Sequence, residues 1–152
     1  MPDGQQTAHR IRETFPDAVV GDGSYRDQHW VELKAEQLVE VCTWLRDDPE
    51  MDYDYLVDVT AVHWPERELP FEMVYHLCSY ARNDMLRIKA SLADGESAPT
   101  LSGLWKAADW NERETYDMFG IRFDGHPDLR RILMHDEYTD FPLRKELPLY
   151  RG

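Results

Sequence analysis

Cysteine is scarce in this 152-residue chain: Cys42 and Cys78 are the only two, and neither falls in a CxxC pair. That spacing argues against a disulfide framework, a zinc ribbon or an iron–sulfur cluster held by this chain alone. Basic residues are also few, 17 against 30 acidic, for a formal charge of −13. Nucleic acid and anionic lipid surfaces both need positive charge, so neither is expected as a partner. No stretch reaches the roughly 20 apolar residues that span a bilayer, so direct membrane insertion is not expected. Met1-Pro2-Asp3-Gly4-Gln5 has neither a basic nor an apolar leader character, and a cytosolic chain is expected. The familiar enzyme motifs are missing as well: there is no GxSxG, HExxH or P-loop. Gly21 and Gly23 form a GxG fragment, but without a third glycine or a following helix it does not make a dinucleotide loop. No internal repeat of 20–50 residues is present.

What is there belongs to a folded domain. Hydrophobic residues make up 42% and aromatics 12%, with five Trp and eight Tyr. A globule of this size buries roughly 68–70% of its unfolded surface, enough for a core without covalent staples. The charge is unevenly placed. Residues 1–120 hold 24 acidic and 11 basic side chains, whereas residues 121–152 hold six of each. The acidic excess reads as a solvated face, densest from Asp47 to Asp58.

Periodicity predicts a short helix over Thr7–Phe15, with Thr7 as its cap and Ile11 and Phe15 four apart. Two strands follow near Ala18–Gly21 and Gln28–Leu33, with turn residues Gly21-Asp22-Gly23-Ser24 between them as a hairpin. A helix over Ala35–Arg46 carries the apolar stripe Leu38, Val41, Cys42 and Leu45. Three strands are expected at Tyr55–Trp64, Phe71–Ser79 and Met85–Ser91, and both cysteines are expected to be buried free thiols. A helical turn at Leu101–Asp109 and a helix at Asn111–Phe119 come next, closed by Gly120 in the left-handed conformation. The order αββαβββ implies an α+β two-layer sandwich, a mixed sheet with helices on one face. Residues 121–152, broken by Pro127, Pro142 and Pro148, lack amphipathic period and read as an extended arm on a 1–120 body.

Chemistry-bearing residues are present but do not assemble. Glu112, Glu114 and Asp117 place three carboxylates in six residues, yet Glu112 and Glu114 lie about 200° apart on a helix and diverge. Arg113 and Asp117, four apart, suit an ion pair. His76 and Cys78 share a strand face, but no second pair completes a tetrahedral metal set. His126 and His135 lie nine residues apart in the arm. A free-standing hydrolase built on Glu112, Glu114 or His126 is the reading these residues allow from outside any assembly.

Three blocks remain: Trp110-Asn111-Glu112-Arg113-Glu114-Thr115-Tyr116-Asp117-Met118-Phe119-Gly120-Ile121, then Gly125-His126-Pro127-Asp128-Leu129-Arg130-Arg131-Ile132-Leu133, then Phe141-Pro142-Leu143-Arg144-Lys145-Glu146-Leu147-Pro148-Leu149. In order and spacing they resemble the signature of the C-type, or thirty-kilodalton-type, component of respiratory complex I. Leu56-Val57-Asp58-Val59-Thr60-Ala61-Val62 is similar to the family's strand leading into the sheet. Asp140 departs from it, standing where the family more often has glycine. The resemblance implies a non-catalytic scaffold of the peripheral arm of NADH:quinone oxidoreductase. It implies no cofactor on this chain, with FMN, iron–sulfur clusters and quinone on partner subunits. The large D-type, quinone-site component is the implied main partner, with the cluster-bearing B-type and I-type components nearby, on the cytoplasmic side of the inner membrane. It also implies that Arg130, Arg131, Arg144 and Lys145 are basic contact positions and that Gly120 and Pro127 are turns. The homologous component of a membrane-bound hydrogenase or formate hydrogenlyase is the nearest alternative.

Overall fold

The computed structural model describes residues 4–26 and 28–127. Helix α1 (Gly4–Thr14) leads into strands β1 (Val19–Tyr25) and β2 (Gln28–Leu33). One 3-10 turn (Ala35–Gln37) then opens helix α2 (Leu38–Asp47). Strands β3 (Tyr55–His63), β4 (Phe71–Ser79) and β5 (Asp84–Leu92) follow. Short strands β6 (Ala98–Pro99) and β7 (Phe123–Asp124) flank helix α3 (Ala107–Phe119). The five long strands form one sheet in the order β1-β2-β5-β4-β3, antiparallel except where β2 lies parallel to β5. This is the expected αββαβββ sandwich with a mixed sheet.

Alternation along the strands decides which face is covered. Val31, Leu33, Leu56, Ala61, Met73, Tyr75, Leu77, Leu86, Ile88 and Leu92 point one way and are buried. They form one cluster with Ala8 and Ile11 of α1, with Leu38, Val41, Cys42 and Leu45 of α2, and with Ala108 and Phe119 of α3. All three helices therefore lie on the same sheet face. Each fully buried Leu, Ile or Phe contributes on the order of 1.5–3 kcal/mol of transfer free energy, and helices this short need that packing to persist. The opposite face carries Trp30, Asp58, Thr60, His76, Arg87 and Lys89 in cross-strand rows.

Four local expectations are corrected. The β1–β2 turn falls after Tyr25, with Arg26 at φ 50°, not at Gly21–Ser24. Gly23 instead pairs across the ladder with Trp30, so turn-type residues are absorbed into a strand by pairing. Thr7 is inside α1 rather than capping it, buried, with its hydroxyl 3.2 Å from that of Tyr53. The helical turn expected from Leu101 is present, closed by Leu104 and Trp105 N–H groups donating to the Leu101 carbonyl, but it ends sooner, and α3 starts at Ala107 rather than Asn111. Cys42 is buried as expected, but Cys78 is partly exposed because it sits on the open face.

Gly120 ends α3 at φ 77°, its N–H donating to Tyr116 O at 2.8 Å. Only glycine takes that left-handed position without a Cβ penalty. The chain then stays on the body: Ile121 and Phe123 join the core, and β7 pairs in parallel with β6.

Candidate functional site at helix α3

The signature residues of the first block lie on α3, and the helix sorts them by face. Glu112, Thr115 and Asp117 are buried, while Trp110 and Glu114 face solvent. The predicted divergence of Glu112 and Glu114 is what the structure shows. Arg113 lies over the Trp110 ring with its guanidinium carbon 5.6 Å from the centroid, a cation–π contact on the outer surface.

Glu112 is the centre of an inward cluster. Its carboxylate accepts the Leu101 N–H at 2.8 Å and the Thr100 hydroxyl at 2.5 Å. His126 comes in from the segment after β7, and its ring is fully enclosed. The His126 Nε2 lies 3.1 Å from the Asp109 carbonyl oxygen, 3.2 Å from Asp109 Oδ1 and 3.9 Å from Glu112 Oε1. A carbonyl oxygen only accepts, so Nε2 carries the proton and donates. Burial raises the Glu112 carboxyl from its ordinary 4.5 to about 7, against the lowering effect of Leu101, Thr100 and His126. Asp109 adds to the rise.

The structure thus brings together Glu112 and His126, which the sequence reading held apart. It adds Asp109, Thr100 and Leu101, which that reading missed. No sequence signal could have found them, because Thr100 and Leu101 lie in an irregular loop whose path depends on β6 pairing with β7. Chemically, a carboxylate beside an imidazole is an acid–base pair. Here both side chains are fully buried, with no solvent-facing atom to meet a substrate. The arrangement locks the 98–101 loop, the start of α3 and the β7 turn into one unit.

Pro127, the last described residue, is exposed and borders a shallow groove with Val39, Thr100, Lys106 and Gly125. Arg130, Arg131, Pro142, Arg144 and Lys145 lie outside the described residues. Among the described residues no group of three or more His, Cys, Asp or Glu side chains is arranged to hold a metal ion.

The family described as "Respiratory-chain NADH dehydrogenase, 30 Kd subunit" matches residues 31–151. The chain belongs to that family. It is 41% identical to the C-type NADH-quinone oxidoreductase component of Roseiflexus sp. (strain RS-1) over 148 residues, 97% of this chain and 85% of the relative. It is 42% identical to the C-type component of Citrifermentans bemidjiense over 98% of this chain and 92% of that one. A chain in the structure of the membrane-bound sulfane sulfur reductase, an archaeal respiratory membrane complex, superposes with a TM-score of 0.79. That chain is 23% identical, with 96% of this chain and 86% of the other covered, so the likeness bears on the fold. The family match runs through all three signature blocks. It also runs from the middle of β2 to β7, so β3, β4, β5 and α3 belong to the shared unit, while β1 precedes the matched residues.

Proposed function

We propose that this chain is a non-catalytic assembly subunit of a proton-translocating NADH:quinone oxidoreductase. It supports electron transfer from NADH through FMN and iron–sulfur clusters to quinone, all held by other subunits. Its partners are the complex's large D-type, quinone-site component, principally, and the cluster-bearing B-type and I-type components. Its place is peripheral, on the cytoplasmic side of the inner membrane. The observation that carries this reading is the sorting of the signature on α3. The groups able to do acid–base chemistry, Glu112 and His126, are sealed inside and bound to the body. Trp110, 55% exposed beneath Arg113, faces outward instead. An exposed Trp–Arg pair is the composition of an interface anchor.

The relatives at 41–42% identity are NADH-quinone oxidoreductase subunits, which supports this complex over a related hydrogenase. Arg144 and Lys145, outside the described residues, offer a planar fork for carboxylates or carbonyl oxygens and a point charge respectively. Replacing both with Ala is expected to lower recovery of the chain in the membrane complex at least several-fold, with the free chain's melting temperature little changed. A marked stability loss with assembly intact would make these residues internal structure.

A further inference from the structure

The open face of the sheet ends, at the Tyr55 side, in an apolar patch. The β3–β4–β5 register puts Tyr55, Cys78 and Met85 in one cross-strand row. A register shift between Leu56 and Asp58 leaves Val57 exposed beside them. Tyr55, Val57, Met85 and the neighbouring Tyr80 are between 41% and 66% exposed, and the two tyrosine rings lie 5.4 Å apart. Four large apolar side chains gathered at one place, and none of them needed by the core, are the mark of a binding surface.

The next row gives the patch a fixed wall. Asp58, His76 and Arg87 are register partners across β3, β4 and β5. Arg87 Nε donates to His76 Nε2 at 3.1 Å, and Arg87 Nη2 donates to Gln28 Oε1 at 2.9 Å. Since arginine can only donate, His76 Nε2 accepts, and Nδ1–H donates to Asp58 Oδ1 at 2.5 Å. The chain of bonds crosses four strands and holds the imidazole in one tautomer. Between this row and the β4–β5 turn lies a groove of about 460 Å³, lined by Val57, His76, Met85 and Arg87 among others.

The rim is acidic. Residues 47–58 contain six carboxylates and no lysine or arginine, and β3 begins inside that stretch. Asp54 is exposed beside Tyr55, and Asp58 keeps 47% of its side chain in solvent despite its bond to His76. The Cys78 thiol, in the same row as Tyr55, is pushed up by burial and then by the charges of Asp54 and Asp84. The nearby cations are engaged: Arg82 lies 3.6 Å from Asp84, and Arg87 is held in the row. A second copy of a chain with charge −13 would set like rim against like.

We propose that this patch docks a cationic segment of a partner polypeptide, with an apolar anchor seated between Val57 and Met85 and lysines or arginines against Asp54 and Asp58. The proposal rests on the assembly role argued above but concerns the open sheet face, opposite the face that α3 covers.

The test places a benzophenone amino acid at position 85 of the full chain in its native membranes. The intact complex is irradiated and the adduct identified by mass. The expected adduct is one partner segment of net positive charge, and the same label at position 80 gives the same segment. Met85→Lys is expected to lower recovery in the complex about ten-fold while Met85→Leu preserves it, with the free chain's melting temperature unchanged in both. An adduct within this chain, to a second copy of it or to an acidic segment overturns the proposal. So does the absence of any adduct from a chain that is present in the complex, and in that case the assembly role still stands. An unlabelled parent chain missing from the complex overturns both.

Discussion

Glu112 is an acid–base group that the fold holds sealed against its own backbone. Its carboxyl is held near 7 by burial, while the unfolded chain would ionise it at its ordinary 4.5. The folded state therefore binds the proton more tightly. Its contribution to stability is complete below about 4.5 and lost as the pH rises through about 7. The interval corresponds to about 3 kcal/mol. Glu112→Gln removes the titration and keeps an acceptor for the Leu101 N–H. Urea unfolding of the two chains between pH 4 and pH 8 is expected to show the variant gaining up to about 3 kcal/mol on the parent as the pH rises. Parallel pH curves would mean that Glu112 ionises as freely in the folded chain as in the unfolded one.

At the scale of elements, what the sequence made legible was whatever repeats locally. Strand β4 falls on the predicted residues, and the α2 stripe of Leu38, Val41, Cys42 and Leu45 is buried as its spacing implied. Gly120 was readable because a left-handed helix end has a local chemical cause. The misses share the opposite property. Thr7 is claimed by Tyr53, 46 positions away, and Gly21–Ser24 by pairing with β2. Glu112 finds Thr100, Leu101 and His126 only after β6 and β7 have paired.

Gly23 tests this reading. A Cβ there would come within 2.7 Å of the Trp30 ring, which also carries Lys89 Nζ 4.6 Å from its centroid. Its glycine is needed for a close approach across the hairpin, not for a turn or a nucleotide. Gly23→Ala is expected to cost about 1–3 kcal/mol and to displace the Trp30 ring. Chemical denaturation followed by tryptophan fluorescence reads both effects. An unchanged midpoint and spectrum would mean that the ring has room to spare.

For the whole molecule, the charge of −13 acquires locations. Its densest stretch, Asp47–Asp58, borders an exposed apolar patch, and α3 turns a Trp–Arg pair outward on another surface. The core is closed around one sheet face, leaving its other face and the outer side of α3 to meet partners. A chain so arranged has surfaces to dock and a sealed acid–base pair, which is the organisation the proposed assembly role requires. The most direct measurement is affinity purification through this chain from native membranes, with partners identified by mass and NADH:quinone turnover assayed before and after the chain is separated. Co-purification with flavin- and cluster-bearing subunits, turnover in the complex and none in the isolated chain is the predicted result. A chain recovered alone, or one that turns over substrate by itself, would contradict it.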